Sequence, residues 1–150
     1  MNPQFSIAVC SFAEFDPLVL YRILRLRSAV FAVEQNCVYN DLDGRDHEPD
    51  AWHVYASDAT GEVISALRLL VEPDGNWHLG RVVTAVEHRG SGVAGALIDR
   101  ALELVPPGTE VHLNAQARLE PWYERWRFTR SGPDLLIDDI VHVPMTRPAR

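Results

Sequence analysis

The sequence predicts an α/β fold built on one mixed central sheet, an antiparallel meander plus a parallel strand pair, flanked by helices. Three strand-like segments follow one another between residues 52 and 86 with only tight turns between them. A helical stripe then leads to another strand, which a right-handed crossover makes parallel to its neighbour. The 150 residues contain no repeat or linker, so we expect one domain over residues 1–150.

The first half of the chain begins with a strand and a helix. Residues 4–9 alternate in polarity, as in a half-buried strand. Asp16 and Pro17 are typical of an N-cap and a first helical position, and apolar residues follow at helical spacing as far as Phe31. After a polar loop near residues 41–47, the meander strands are expected at residues 52–56, 63–71 and 77–86.

The second half alternates helices and strands. A glycine-rich segment at residues 89–95 opens a helix whose apolar stripe ends at Pro106-Pro107. A strand is expected at 110–117, a short helix at 121–127, and one or two strands between 135 and 145.

Composition excludes several classes of protein. With 47% hydrophobic and 23% charged residues, the chain is not disordered. No stretch approaches the ~20 apolar residues of a membrane span, so we expect no membrane partner. The first residues do not resemble a signal peptide, and there are only two cysteines. We therefore expect a cytoplasmic protein.

The charge is unevenly distributed. The net charge is −7, all 14 basic residues are arginine, and no lysine occurs. The first 75 residues hold 12 acidic residues and 5 arginines, whereas the last 75 hold 9 of each. Because nucleic-acid binding needs a basic surface, we expect no nucleic-acid partner. Asp41, Asp43 and Asp46 do not match a calcium loop, since Gly44 falls at the fourth position instead of the sixth, and we expect no metal.

A glycine-rich loop between a strand and a helix exposes backbone N–H groups at the positive end of the helix dipole. That arrangement binds phosphate. The loop lacks the Gly-Lys-Ser/Thr of a Walker A motif, and a tight turn with close helix packing is the alternative explanation of its glycines.

Residues 89–94, RGSGVA, resemble the Arg/Gln-x-x-Gly-x-Gly/Ala pyrophosphate loop of the GNAT N-acetyltransferases. Three further blocks resemble the ElaA-like branch: LRSAVFAVEQNC (26–37), LGRVV (79–83), and AQARL (115–119) leading to Trp122-Tyr123. The resemblance covers most of residues 20–145 and implies a GNAT-like sheet and an enzyme. Its acyl donor would be acetyl-coenzyme A, and the acetyl group would pass directly to a small amine.

The resemblance also implies roles for individual residues. Val82, Val83 and Thr84 would offer main-chain groups to the pantetheine arm, with the Val83 N–H polarising the thioester carbonyl. Tyr123 would be the general acid that protonates the leaving thiolate, and Gln116 would contact the cofactor. Arg89 would lie near the pyrophosphate, as would Arg81, and the loop amides would bind it: Gly90, Ser91, Gly92, Val93, Ala94 and Gly95.

The general base is not fixed by the sequence. Glu34 is the first candidate because it lies just beyond the first helix, within a matched block. The remaining candidates are Asp43, Asp46, His53 and His112.

The acceptor side is expected to involve Arg27, Phe31, Asp43, Asp46 and Arg68. Arg27 and Arg68 lie in apolar surroundings, where a guanidinium needs partners, and Asp43 or Asp46 could supply them. The acidic first half favours a cationic acceptor by long-range attraction. The edges of the sheet also leave a homodimer open.

Two alternative functions stay open at this point. The same acceptor-side residues are similar in type and order to those of the acyl-homoserine lactone synthases, although this chain is shorter and has no basic patch for an acidic carrier. A non-catalytic acyl-coenzyme A binding module is the other alternative. It is suggested by Arg127, where the family has glycine, and by Ile137-Asp138-Asp139, where the branch differs. Arg127 must adopt a strained left-handed conformation or end its helix differently.

Overall fold

The computed structural model describes residues 4–38 and 40–150. The elements of the first half follow the expected order. Strand β1 and helix α1 are followed by a π-helix over Ser28–Glu34 and then by the meander β2–β4. The Asp16 carboxylate accepts a hydrogen bond from Leu18 N at 3.0 Å, which confirms the N-cap. The bounds are Ser6–Cys10 (β1), Pro17–Arg27 (α1), Trp52–Ser57 (β2), Val63–Val71 (β3) and Trp77–Thr84 (β4).

The second half differs from expectation mainly at its end. The predicted short helix stops at Glu124 rather than at residue 127, and an unexpected two-residue strand follows it. The bounds are Val93–Leu104 (α2), Val111–Gln116 (β5), Glu120–Glu124 (α3), Thr129–Arg130 (β6), Leu135–Ile137 (β7) and Ile140–Arg147 (β8).

The strands form one mixed sheet in the order β1-β2-β3-β4-β5-β8-β6, with β7 also paired to β8. Strands β4 and β5 are parallel, and the other neighbours are antiparallel, as expected. One face of the sheet packs against α2 around Leu69, Leu97 and Ile98. The other face packs against α1 around Ile23 and Val83. Helices therefore cover both faces of the sheet.

Strands β4 and β5 separate soon after they begin. Their parallel pairing comprises only Trp77 with Val111 and His78 with His112. Further along β4, the register against β3 shifts by one residue, so that Leu67 of β3 faces both Arg81 and Val82. This β-bulge has Arg81 in a left-handed conformation, with φ 53°. A bulge bends its strand, and here it lies where β4 no longer pairs with β5.

A buried ionic network holds the bulge and the 41–46 loop together. Arg27 binds Asp46 at 2.7 Å and Asp41 at 2.9 Å. Arg68 binds Asp43 at 2.6 Å and Asp46 at 3.0 Å. Arg81 closes the network on Asp41 at 2.7 Å. Only 2% of Arg27 and 4% of Arg68 is exposed, so the expectation that the loop carboxylates would partner both guanidiniums is confirmed.

Three residues other than glycine adopt left-handed conformations at turns between the later elements of the chain. Arg127 has φ 66°, so the chain accepts the expected strain after α3. Asp138 and Asp139 have φ 50° and 64° and form the two-residue connection between β7 and β8. Positive φ at both central residues is typical of a type I′ hairpin turn, where glycine and asparagine are usual.

We predict that Arg127→Gly stabilises the protein. Glycine adopts φ 66° without the Cβ clash, which costs about 1–2 kcal/mol for other residues, and its extra freedom in the unfolded chain offsets part of that gain. A net rise of about 0.5–1 kcal/mol in the free energy of urea unfolding is expected. The control is Arg125→Gly, at an exposed position with φ −59°, where a loss is expected instead. A loss for both variants would contradict the strain at Arg127.

We predict that Arg68→Met lowers the free energy of unfolding by about 3–5 kcal/mol at pH 7, because it leaves buried carboxylates without their partner. Hydrogen bonds from Arg68 hold the pKa of Asp43 well below its usual range. The pKa of Asp46 is also lowered: burial raises it, but the arginines outweigh burial. Both contributions are present above the unfolded carboxyl pKa of about 3.9 and are lost as the pH falls below it.

The difference between wild type and Arg68→Met should therefore shrink below about pH 4. Chemical unfolding measured across pH checks this. Arg100→Met removes a surface pair with Glu103 and should change stability by no more than about 0.5 kcal/mol. A difference that stays constant through the acid range would mean that the Arg68 ion pairs do not cause the loss.

Candidate active site

A cleft of about 930 Å³ opens where β4 and β5 separate. Its walls come from the two diverging strands, the start of α2, the π-helix, α3 and the β7–β8 hairpin. A volume of this size suits an extended small-molecule ligand. The cleft therefore lies where the sequence blocks that resemble the GNAT family converge.

The register of β4 determines which of its amides face the cleft. Ala85 N donates to Ile64 O at 2.8 Å, and hydrogen-bonded pairs alternate with open pairs along an antiparallel ladder. The pair Ala66–Val83 is two positions further along the same register, so it is also hydrogen-bonded and directs the Val83 N–H toward β3. In this register the Val83 N–H does not face the cleft, and we do not retain it as the group that polarises a thioester.

The same alternation turns the polar groups of Thr84 toward the cleft. Arg89 Nε donates to the Thr84 carbonyl from that side, at 3.1 Å. Val82, two residues earlier, has the same orientation. Val82, Val83 and Thr84 all line the cleft, but Val82 and Thr84 are the two whose main-chain groups face it.

The glycine-rich loop has the conformation that an anion site needs. Gly90 and Gly92 have φ 78° and 85°, and nothing lies within 4 Å of the point where a Cβ would sit on either. Gly92 is the N-cap of α2, whose first residues, Val93 to Gly95, also line the cleft. Ser91 is turned away, because its hydroxyl donates to His88 O at 2.6 Å. The loop thus fits a diphosphate through its other amides.

Arg89 and Glu34 form a bidentate ion pair at the cleft, with N···O distances of 2.8 and 2.9 Å. The hydrogen bonds from Arg89 lower the pKa of Glu34 below its ordinary value. A general base works best with a pKa near the working pH, so this pairing makes Glu34 less suitable. We therefore do not retain Glu34 as the base. Arg89 lies beside the loop as expected.

Tyr123 lies on the wall formed by α3. It is buried and packs edge-on against Trp122 and Phe128, with ring centroids 4.9 and 6.1 Å away. Burial raises the pKa of its phenol well above the ordinary value. The hydroxyl therefore stays protonated at neutral pH and can supply a proton. Trp126 completes this wall and contacts Gly95, where an added Cβ would lie 3.3 Å from its ring.

The remaining cleft residues come from several elements. Phe31 lines the cleft from the π-helix. Gln116 lines it from the end of β5, and its amide oxygen accepts a hydrogen bond from Arg118. Cys37 Sγ donates to the Asp138 carbonyl at 3.2 Å, which ties the chain after the π-helix to the β7–β8 hairpin. The hairpin that departs from the family pattern therefore forms part of the cleft wall.

Four residues expected on the acceptor side do not line the cleft. Arg27, Asp43, Asp46 and Arg68 bind one another in the buried network instead. Arg81 lines the cleft, but its guanidinium binds Asp41 and Asp43 rather than facing a diphosphate. We therefore assign these residues to positioning the strand and loop, and only Phe31 keeps its expected place.

The other candidate bases are also displaced from the cleft. Asp43 and Asp46 are bound by arginines, and buried His53 has its Nε2 2.8 Å from Asp46 O. His112 has its Nδ1 3.0 Å from the Thr146 hydroxyl and lines a neighbouring cavity. His78 and Asn114 also line the cleft, although neither was among the residues expected there from the sequence. Alternation along β4 could have revealed His78, since Trp77 and Leu79 on either side of it point into the core.

Residues 4–38 and 40–150 contain no group of three His, Cys, Asp or Glu side chains arranged to hold a metal ion. Within the same residues, no helix has the length and apolar character needed to cross a bilayer.

Comparison with known proteins agrees with the geometry. The family model described as "Acetyltransferase (GNAT) domain" matches residues 29–148. A UPF0039 protein of Mycobacterium tuberculosis (strain ATCC 25618 / H37Rv) is 39% identical over 138 residues, covering 90% of this chain and 88% of the relative. Protein ElaA of Escherichia coli (strain K12) is 35% identical over 140 residues, covering 90% and 91%.

Solved structures give the same result. An acyl-CoA N-acyltransferase from Pseudomonas aeruginosa superposes with a TM-score of 0.87 at 36% identity, covering 95% of this chain and 99% of that one. Escherichia coli ElaA superposes with a TM-score of 0.89 at 32% identity and the same coverage. The acyl-homoserine lactone synthase LasI reaches 0.75 at 18% identity, covering 98% and 91%, which is a likeness of fold alone.

The split between β4 and β5, the glycine loop at the start of α2 and the matched relatives agree with one another, and the expected ElaA-like resemblance is confirmed. The chain belongs to the GNAT family of acyl-CoA-dependent acyltransferases, together with ElaA and the UPF0039 proteins.

Proposed function

We propose that this protein is an N-acetyltransferase that moves the acetyl group of acetyl-coenzyme A directly to the amine of a small molecule. The observation that carries the proposal is the alignment of three features along one cleft: the loop amides, the outward-facing main-chain groups of Val82 and Thr84, and the protonated Tyr123. These correspond to the diphosphate, the pantetheine arm and the thiolate of the donor.

Acyl transfer from a thioester requires a donor to the tetrahedral oxyanion. A backbone N–H aimed at the developing charge supplies this without reorganisation. We assign that role to the Val82 N–H, because the Val83 N–H is directed to Ala66. The glycine loop would hold the diphosphate through amides at the positive end of α2, with Arg89 beside it.

The departing thiolate would take its proton from Tyr123. A phenol with a raised pKa is a weak acid relative to a thiol in water, for which the pKa is about 8.5. Burial also raises the pKa of a thiol, so the same apolar wall of Trp122 and Phe128 that makes the phenol weaker makes the thiolate more basic. Burial of both groups therefore keeps the two pKa values closer together than the raised pKa of the phenol alone would suggest.

The structure leaves little of the negative charge of the 41–48 loop to attract a cationic acceptor. Asp41, Asp43 and Asp46 are bound by arginines of the network, and Glu48 is bound by Arg45. Because these carboxylates are paired with arginines, the loop is near neutral. We therefore propose an amine acceptor, without a preference for acceptors that carry additional positive charge. The acidic and arginine residues by which this chain resembles the lactone synthases belong to this network and do not line the cleft. We therefore do not propose a synthase.

We predict that acetyl-coenzyme A raises the melting temperature of the protein. Ligand at about 100 times its dissociation constant adds roughly 2.7 kcal/mol to the free energy of unfolding. Gly90→Ala should reduce this shift strongly, because a methyl group at φ 78° would block the approach of the diphosphate.

The matched control for that measurement is Gly108→Ala. Gly108 has φ 82° and equally open surroundings, but it follows α2 at the end remote from the loop. Both variants should melt at similarly reduced temperatures without ligand, and only Gly108→Ala should keep the full shift. Absence of any shift in the wild type at millimolar acetyl-coenzyme A would exclude it as the donor.

We predict that Tyr123→Phe lowers kcat by about 10²–10⁴, the range of general acid catalysis. The measurement is thiol release with the best acceptor from a panel of polyamines, arylalkylamines and amino-acid amines. The acetyl-coenzyme A melting shift should be nearly unchanged. Tyr55→Phe, in the aromatic cluster with Phe15, should leave kcat within a few-fold of wild type. Unchanged turnover in Tyr123→Phe would remove this residue from the mechanism.

A further inference from the structure

A second cavity, of about 590 Å³, adjoins the cleft. The two share His78, Gly80 and Arg81 of β4 as a common wall. The residues that line the second cavity alone are polar for the most part: Arg45, Arg68, Leu70, Glu72, Pro73, Asp74 and His112. The cavity therefore offers a polar route from the interior of the cleft toward the β3–β4 turn.

His78 occupies the point where the two spaces meet. It is paired with His112 in the last rung of the parallel ladder, directly before β4 and β5 separate. Its neighbours Trp77 and Leu79 point into the core beneath α2, so the imidazole lies on the opposite face, together with Arg68 and Leu70 of β3. Among the residues the structure describes, His78 is the histidine that lines both spaces.

The position of His78 relative to the reacting carbonyl suits a base that acts through water. The bulge adds one residue to β4, so Val82 lies three rungs of the β3–β4 ladder beyond His78, about 10 Å away at the usual rise per residue. The length of an imidazole, one water molecule and the acceptor nitrogen fill that distance. The carboxylates that might have served are bound by arginines, as described above for Glu34, Asp43 and Asp46.

We propose that His78 is the general base of the acyl transfer and that the second cavity conducts the proton it takes to solvent. This rests on the proposed N-acetyltransferase function. His78 removes a proton from the acceptor ammonium through a bridging water. The freed nitrogen lone pair then forms the C–N bond to the thioester carbon.

On collapse of the tetrahedral intermediate the C–S bond breaks, and the thiolate takes the Tyr123 proton. The second proton of the attacking nitrogen restores the phenol. The net products are the amide, the free thiol and one proton, which His78 releases into the second cavity.

The electrostatics of the site agree with this role. Burial lowers the pKa of His78, so the imidazole is neutral at pH 7 and able to accept a proton. The charged and titratable groups that face it are Glu72, which favours the protonated form, and His112, Arg45 and Arg68, which oppose it. Arg81 of the same strand also lines the common wall, where its charge is paired with Asp41 and Asp43.

The test compares two acceptors in wild type and His78→Gln. Phenethylamine is protonated at pH 7 and needs a base, whereas hydroxylamine is already neutral and does not. We expect His78→Gln to lower kcat/KM with phenethylamine by about 10²–10⁴ and with hydroxylamine by only a few-fold. Equal losses with both acceptors, or no loss with either, would overturn the proposal. The control His47→Gln changes a histidine that packs on Phe12 and should behave as wild type.

A second measurement does not depend on turnover. Histidine-labelled protein followed by NMR should show the His78 imidazole titrating below about 6.5, the ordinary value, and shifting on addition of acetyl-coenzyme A. The His47 signal should not respond to the ligand. A His78 signal that ignores acetyl-coenzyme A would overturn the proposal even if neither acceptor is used. Failure of the wild type to bind acetyl-coenzyme A would instead count against the proposed function.

Discussion

The separation of β4 from β5 is the constraint on which the rest of the site depends. Two parallel strands that stayed paired would leave no space between them and no main-chain groups to offer. Here the pairing ends after two rungs, and the bulge at Arg81 and Val82 bends β4. One edge of β4 is then left open inside the sheet. The cleft, its outward-facing amides and the second cavity all follow from that opening.

The ionic network explains how a left-handed arginine is tolerated at the bulge. A residue other than glycine in that conformation persists only when its surroundings fix it. Arg81 binds Asp41 and Asp43, and these carboxylates are bound in turn by Arg27 and Arg68. The network thus connects the end of α1, the 41–46 loop, β3 and the bulge. Its carboxylates and guanidiniums neutralise one another, which is why the local excess of acid in the sequence does not become a charged surface.

Much of the fold and the location of the cleft could be predicted from local sequence. Alternating polarity predicted the strands of the meander, and the Asp16-Pro17 pair predicted the start of α1. Gly90 and Gly92 predicted a loop with positive φ. The partners of Arg27 and Arg68 followed from the cost of burying a guanidinium. These inferences succeeded because each depends on residues close together in the chain or on a requirement that few residue types can meet.

The features that could not be predicted depend on strand register, on residues far apart in the chain, or on conformations that the residue types disfavour. A one-residue bulge reverses which amides face a neighbour, so the orientation of Val83 depended on a register shift that no local pattern marks. The pairing of Glu34 with Arg89 joins residues 55 positions apart. Arg127, Asp138 and Asp139 adopt conformations that their residue types disfavour, so the sequence signals strain without showing how the chain resolves it.

The absence of lysine from the chain gives the arginine network an additional consequence. Arg81 lies on the wall of a cleft that would hold an activated acetyl thioester beside an incoming amine. A primary amine at that position would itself be an acceptor, competing with the substrate and losing its charge once acetylated. A guanidinium keeps its proton and is a poor nucleophile. The arginines that shape the opening are therefore chemically inert toward the group that would be transferred through it.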